Sequence, residues 1–390
     1  MAAPRIGQRV PWLHDRSLLP GALRSASGRM LARYDVTRPD LARLLDGEPR
    51  YRVDQVWHGL HQRGLDPGEM TDLPKSLRAR LGEVLPPALA LVAESESDDG
   101  DTLKSLWSLN GSQTGGRIET VLMRYRDRVT VCISSQAGCG MGCVFCATGQ
   151  GGLSGQLTAG EIVEQVIRAR RRAEPRRLGN VVFMGMGEPL ANYAAVWAAI
   201  ERLHGDAGIS ARRITVSTVG LVPGIRRLAA ERLPVNLAVS LHAANDTLRD
   251  HLVPVNRRYP LAVLGAACRE YTETTGRRLS FEWAMIAGVN DRPSDATELA
   301  AIARPLHAHV NLIPLNPTPG YATRGTPAAG VRAFRDRLAG LGVNATVRDN
   351  RGTDIDAACG QLAARAGSAA PQPVSVGATR ESSYHVDQRP

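Results

Sequence analysis

From residue 129 to residue 313, apolar β-branched runs alternate with helical stretches, and this alternation constrains the fold more than any other feature. The runs lie at 129–133, 181–184, 214–216, 235–239, 279–286 and 310–313. Between them, apolar residues recur at helical spacing over 159–172, 193–203, 261–274 and 294–306. Six such units predict parallel strands with helices outside: an α/β fold in the form of an open or incomplete (β/α)6 barrel. In parallel barrels chemistry collects at the C-terminal ends of the strands. A last helix at 328–341 and a strand at 345–348 then deliver a loop that carries Cys359.

Ahead of the barrel the pattern differs. Residues 1–28 are polar, interrupted by Pro11 and Pro20, and read as a disordered extension. Residues 29–95 read as a small helical domain. Pro39 suits a helix start, Leu41, Leu44 and Leu45 follow at helical spacing, and further helices are predicted at 51–63 and 73–84. Short helices with basic faces suit a nucleic-acid-binding module, and a plain packing domain would show the same periodicity. Residues 96–124 read as linker and hairpin. An acidic stretch at 94–101 precedes strands at 103–109 and 118–124, joined by the turn-rich 110–116. The core is expected over 125–365, and the Ala-, Ser-, Pro- and Gln-rich residues 366–390 as a disordered tail.

Three thiols crowd the loop after the first barrel strand, in Cys139-Gly-Met-Gly-Cys143-Val-Phe-Cys146. They cannot all pair with one another, and the glycines let the backbone wrap a shared metal cluster. Three ligands leave a corner open for a small molecule. A structural zinc site wants a fourth ligand, and no Cys or His follows before His204. A zinc knuckle with a remote ligand, or three reduced thiols, are the alternatives.

The 390 residues carry a net charge of +10 with a pI near 9.8. That excess suits a polyanionic partner, although an arginine-rich, GC-rich genome would also raise it. Six Cys do not make a disulfide framework and suit a reducing compartment. The first residues lack the apolar core of a signal peptide, and no run is long enough for a membrane span. The expectation is a cytoplasmic protein without membrane contact.

C-x3-C-x2-C with an aromatic before the third Cys resembles the signature of radical S-adenosylmethionine (SAM) enzymes. The wider strings, from Cys132-Ile-Ser-Ser-Gln-Ala-Gly-Cys139 through Cys146-Ala-Thr-Gly and Arg351-Gly-Thr-Asp-Ile-Asp-Ala-Ala-Cys359-Gly-Gln-Leu, are similar to the bacterial 23S rRNA (adenine-C2)-methyltransferases of the RlmN type. The similarity runs from about residue 51 to 362. It implies a radical-SAM barrel with an N-terminal helical domain that helps hold RNA. It also implies a 4Fe–4S cluster on Cys139, Cys143 and Cys146, and SAM bound by Gly187, Glu188, Ser217, Ser240, Leu241, His242 and Asn316. From the residues alone, Gly185-Met186-Gly187-Glu188 is a tight turn that lets a ligand approach, and Ser217, Ser240 and Asn316 are ordinary caps or turn residues.

The resemblance further implies that Cys359 carries the transferred methyl, that Cys132 releases the product through a transient disulfide, and that Glu119 accepts the ring proton. The resemblance also implies two SAM per turnover. The implied substrates are 23S rRNA and tRNA, with a donor such as flavodoxin or ferredoxin and a monomeric enzyme. The sister C8-methylating type shares these motifs. Cys268, in an Ala-rich helix, reads as a small buried hydrophobe. Gly155-Gln156 departs from the family's Arg-Asn.

Overall fold

A computed structural model describes residues 31–97, 99–110, 116–316, 320–321 and 323–348. Three helices come first, α1 (Arg38–Leu44), α2 (Tyr51–His61) and α3 (Lys75–Val84). Thr37 caps α1 in a reciprocal box with Asp40, and Pro39 occupies its first turn. Their apolar faces do not form a separate core. Leu41, Val56, Leu60, Leu77 and Leu81 join the cluster that also holds the barrel helices. Polar bonds seal the junction. Trp57 Nε1 donates to Asp206 at 3.0 Å. The Asp35 carboxylate accepts from Thr158 Oγ1 at 3.0 Å and from the Gly160 amide at 2.7 Å.

An antiparallel group follows, β1 (Leu89–Glu96), β2 (Thr102–Leu109), β3 (Arg117–Arg124) and β4 (Val129–Cys132). Residues 94–96, expected as linker, complete β1. The strand escaped the alternation test because a bulge between Leu91 and Ala93 breaks its period, and as an edge strand it leaves Leu91 and Val92 exposed.

Next come a small antiparallel pair, β5 (Gln136–Gly138) and β6 (Leu153–Gln156), with α4 (Ala147–Gln150) between them. The barrel proper then proceeds through α5 (Ala159–Ala173), β7 (Asn180–Phe183), α6 (Tyr193–Gly205), β8 (Ile214–Thr218), α7 (Val222–Ala229), β9 (Asn236–Ser240), α8 (Asp246–Leu252) and α9 (Leu261–Thr275). It ends with β10 (Leu279–Met285), α10 (Pro293–Ala303), β11 (His309–Pro314), α11 (Ala328–Gly340) and β12 (Ala345–Val347). The large sheet has ten strands in the order β1-β2-β3-β4-β7-β8-β9-β10-β11-β12, parallel from β4 onward.

Its ends do not meet, so the architecture is an incomplete (β/α)6 barrel, extended by β12 and by the antiparallel strands, with a small helical N-terminal accessory domain. The short helices α7 and α8 were not anticipated. Pro223 and Gly224 look like breakers, but the proline sits in the first turn of α7, where it costs no hydrogen bond. Among the described residues no helix is long and apolar enough to cross a membrane.

Candidate active site

The C-terminal ends of β7, β8 and β9 open onto one solvent-open cavity of about 210 Å³. Cys139, Cys143 and Cys146 line it together with Gly187, Glu188, Ser217, Ser240 and His242. Eight of the expected site residues therefore meet at one place. Leu241 does not line the cavity. Its side chain is in the core, and its amide donates to the Glu282 carbonyl at 3.0 Å. Asn316 follows β11, half-buried, and is not a lining residue either.

The cysteine loop is shaped by backbone contacts. The Cys139 amide donates to the Gly152 carbonyl at 2.8 Å, and the Cys146 amide to the Cys143 carbonyl at 3.2 Å. At Gly138 φ is +76°, and a Cβ there would stand 2.0 Å from the Gly152 oxygen, so only glycine lets β5 and β6 close this loop. Burial pushes the Cys139 thiol up to about 11 and raises Cys143 further, and neighbouring thiols add to both shifts. Bound iron would reverse that cost, since its positive charge stabilises thiolates. Among the described residues, no three His, Cys, Asp or Glu side chains close on one point tightly enough for a single metal ion. Three soft donors around one cavity fit a multi-iron cluster, which spaces its ligands apart.

The turn after β7 presents Glu188. Gly187 has φ +101°, and a Cβ there would come within 2.5 Å of the Gln136 side chain. Gln136 in turn accepts from the Glu188 amide at 2.7 Å and donates to Gln156 at 2.9 Å. The unusual Gln156 thus supports the loop that holds Glu188. The Glu188 carboxylate accepts from the amides of Leu190 at 3.0 Å and Val219 at 2.8 Å. Burial outweighs those bonds and lifts its pKa to about 7. It is an acid that an incoming ammonium would ionise.

His242 sits at φ +60°, its ring edge-on to Phe145 at 4.8 Å. The Ala284 amide donates to Nδ1 at 3.0 Å, so the proton is on Nε2, and burial depresses the pKa to about 3. The ring is neutral.

Sequence reasoning missed the residues that hold these loops. Arg249 of α8 is fully buried and donates to the carbonyls of Leu241 at 3.1 Å, Val219 at 2.7 Å and Ser240 at 3.3 Å. Asn290 donates to the His242 carbonyl at 2.8 Å. Glu282, whose pKa burial raises, lines the cavity and accepts from Asn311 at 2.8 Å. An Arg in a short helix reads as surface, and no local signal marks it otherwise.

Glu119 and Cys132 do not line the cavity. They are buried in β3 and β4, where Glu119 meets Lys104 at 3.0 Å. Cys132 is buried in β4, and no disulfide joins two of the described residues. The expected partner of the transient disulfide, Cys359, lies outside them. Cys268 is a buried thiol in α9, raised to about 12 by desolvation, as suits a packing residue.

Two family models match the chain. The Radical SAM superfamily matches residues 133–300, and the Ribosomal RNA large subunit methyltransferase N-terminal domain matches residues 34–86. The chain is 55% identical over 338 residues to the Probable dual-specificity RNA methyltransferase RlmN of Parafrankia sp. (strain EAN1pec), covering 82% of this chain and 87% of that one. It is 52% identical over 353 residues to the protein of the same name from Salinispora tropica, covering 87% and 94%. A crystal structure of a radical SAM methyltransferase from Sphaerobacter thermophilus superposes with a TM-score of 0.81 at 52% identity, covering 85% of this chain and 98% of that one. On this identity and coverage, with both family models matched, the chain belongs to the RlmN family of RNA methyltransferases, within the radical SAM superfamily.

Proposed function

We propose that this chain methylates C2 of an adenine in 23S rRNA and of an adenine in tRNA, through a methyl group carried on Cys359. The reading is carried by the cavity in which three thiols and the buried Glu188 meet at the C-terminal ends of the barrel strands. Members of this superfamily use a 4Fe–4S cluster and SAM. Cys139, Cys143 and Cys146 would hold the cluster. When bound, the two groups supply the radical chemistry that an unreactive aromatic C–H carbon demands.

The protein's own groups bind and position. Glu188 accepts the ammonium of SAM. Ser217, Ser240 and the Nε2–H of His242 offer neutral hydrogen bonds to its ribose, carboxylate and adenine edge, with Asn316 beside them, while Leu241, its backbone tied to Glu282 and Arg249, holds the turn that carries Ser240 and His242. Cys359 takes a methyl group as a thiolate, which splits one difficult transfer into easier steps. Glu119 accepts the ring proton. With the base joined to Cys359 through the methyl-derived carbon, the Cys132 thiolate attacks the Cys359 sulfur. The S–S bond forms, the bond from that sulfur to the bridging carbon breaks, and the carbon keeps the electron pair and takes a proton to become the methyl group, leaving a disulfide that must be reduced before the next turnover.

The remaining assignments follow from the same reading. The N-terminal helical domain and the net charge of +10 serve RNA. The target adenine leaves its stack to reach the interior. A flavodoxin- or ferredoxin-class protein donates the electron, and the enzyme works as a cytoplasmic monomer.

The test is product identification. Protein reconstituted without oxygen is incubated with unmodified 23S rRNA and tRNA, SAM and reductant, and the RNA is digested to nucleosides for mass spectrometry against synthetic standards. The expected product from both RNAs is 2-methyladenosine. The isomer 8-methyladenosine would assign the chain to the sister chemistry, and no methylated adenosine would refute the proposal.

A further inference from the structure

A lysine with no exposed side-chain surface stands in β2. Lys104 Nζ lies 3.0 Å from Oε2 of Glu119 in β3, whose side chain is 1% exposed. The strand register fixes where this pair looks. Lys104 is opposite Val121, and Val121 is opposite Cys132. Directly opposed residues share a face, and Glu119, two positions from Val121, shares it too. Val121, Met123, Cys132 and Met184 pack together on this face. Thr120, which points the other way, bonds Gln165 of α5 at 3.1 Å. The ion pair therefore faces the barrel interior, on the side of Cys132, and not the helical layer.

Taking a lysine and a glutamate out of water costs about as much as their attraction returns, and an apolar pair of similar size would join the strands at least as well. Stability alone gives β2 no use for a buried ammonium. A carboxylate that must remain an anion in a dry interior, aimed at one point, does need a fixed cation beside it.

We infer that Lys104 is a positioning residue for Glu119, its ammonium fixing the carboxylate and aiming it into the barrel interior to take the ring proton. The inference rests on the reading of Glu119 proposed above. In that step the ring C–H bond breaks, its electron pair stays with the ring and the proton goes to Glu119. Lys104 keeps its own protons, and the neutral acid later returns its proton to water. Among the described residues, Arg117 stands two positions before Glu119 on the same face of β3. The Cys132 thiol comes from β4, and Arg348 reaches the Met123 sulfur at 3.9 Å further along β3. β5 brings none, and α5, on the other face, keeps Glu161 and Glu164 buried.

The test compares Lys104→Met, Lys104→Arg, Glu119→Gln and the double variant Lys104→Met/Glu119→Gln, each reconstituted with cluster, for RNA methylation across pH and for thermal stability. Lys104→Met should lose roughly ten- to a hundredfold in methylation at pH 7, and part of it should return as pH rises, moving the acid limb of the profile upward. Lys104→Arg should keep the wild-type profile at a lower rate. The double variant should be at least as stable as wild type yet inactive, separating the charge role from a packing role.

A Lys104→Met profile that superimposes on wild type, while Glu119→Gln is inactive, would overturn the positioning role and leave the Glu119 reading standing. Full methylation by Glu119→Gln would overturn both. Should Lys104→Met not fold, Lys104→Gln takes its place and is read the same way.

Discussion

At Glu188 burial sets the charge, and binding reverses it. Its pKa of about 7 means that a growing share of the carboxyl is protonated as pH falls, and an ammonium ligand needs the anion. SAM affinity should therefore weaken roughly eightfold from pH 7.5 to pH 6, by the titration of this one group. Glu188→Gln should weaken binding by about ten- to a hundredfold at pH 7.5, the worth of a charged hydrogen bond, and should flatten the pH dependence. Calorimetric titration of the reconstituted protein measures both, and an unchanged slope in the variant would remove Glu188 from the ammonium site. Glu188 was readable from the sequence because it follows two glycines at a strand end. Lys104 and Arg249 were not, because nothing in a local string shows that a long cationic side chain points inward.

On the scale of elements, the site depends on how the turns after β8 and β9 are held. Arg249 ties the carbonyls of Val219, Ser240 and Leu241 together from below. Burial lowers its own pKa only to about 10, so it stays charged at neutral pH. Arg249→Met should cost about 3 kcal/mol, because buried carbonyls lose their donor. It should also loosen SAM binding, although Arg249 is not among the residues lining the cavity. Urea unfolding and SAM titration check the two effects, and a stable variant with normal binding would contradict the tie. The strands and long helices were legible from their periods. The tie was not, since one side chain of α8 joins the turns after two different strands, β8 and β9, and β1 was hidden by its bulge.

On the scale of the whole molecule, the N-terminal helices are built into the common core, so deleting them would expose apolar faces of the barrel and would not cleanly remove an RNA contact. His61 reports this junction. It is fully buried between the rings of Tyr34 at 5.4 Å and Trp57 at 4.3 Å. Burial depresses its pKa from 6.5 to about 4. The unfolded chain binds a proton below pH 6.5 that the folded one refuses. The stability His61 contributes is thus complete above pH 6.5 and lost as pH falls towards 4, on the order of 3 kcal/mol. Melting temperatures of wild type and His61→Phe should therefore converge, or cross in favour of the variant, between pH 7 and pH 4.5. A constant gap would contradict the assignment.

The claim that joins all three scales is that Cys132 acts on a base already bound to Cys359. Its most direct measurement is the fate of Cys132→Ala under turnover with RNA and SAM. Without the resolving thiol, the base stays joined to Cys359 through the bridging carbon. The account predicts a protein–RNA adduct that survives denaturation and disappears on nuclease treatment. A Cys132→Ala protein that traps no adduct, while the wild type methylates RNA under the same conditions, would contradict it.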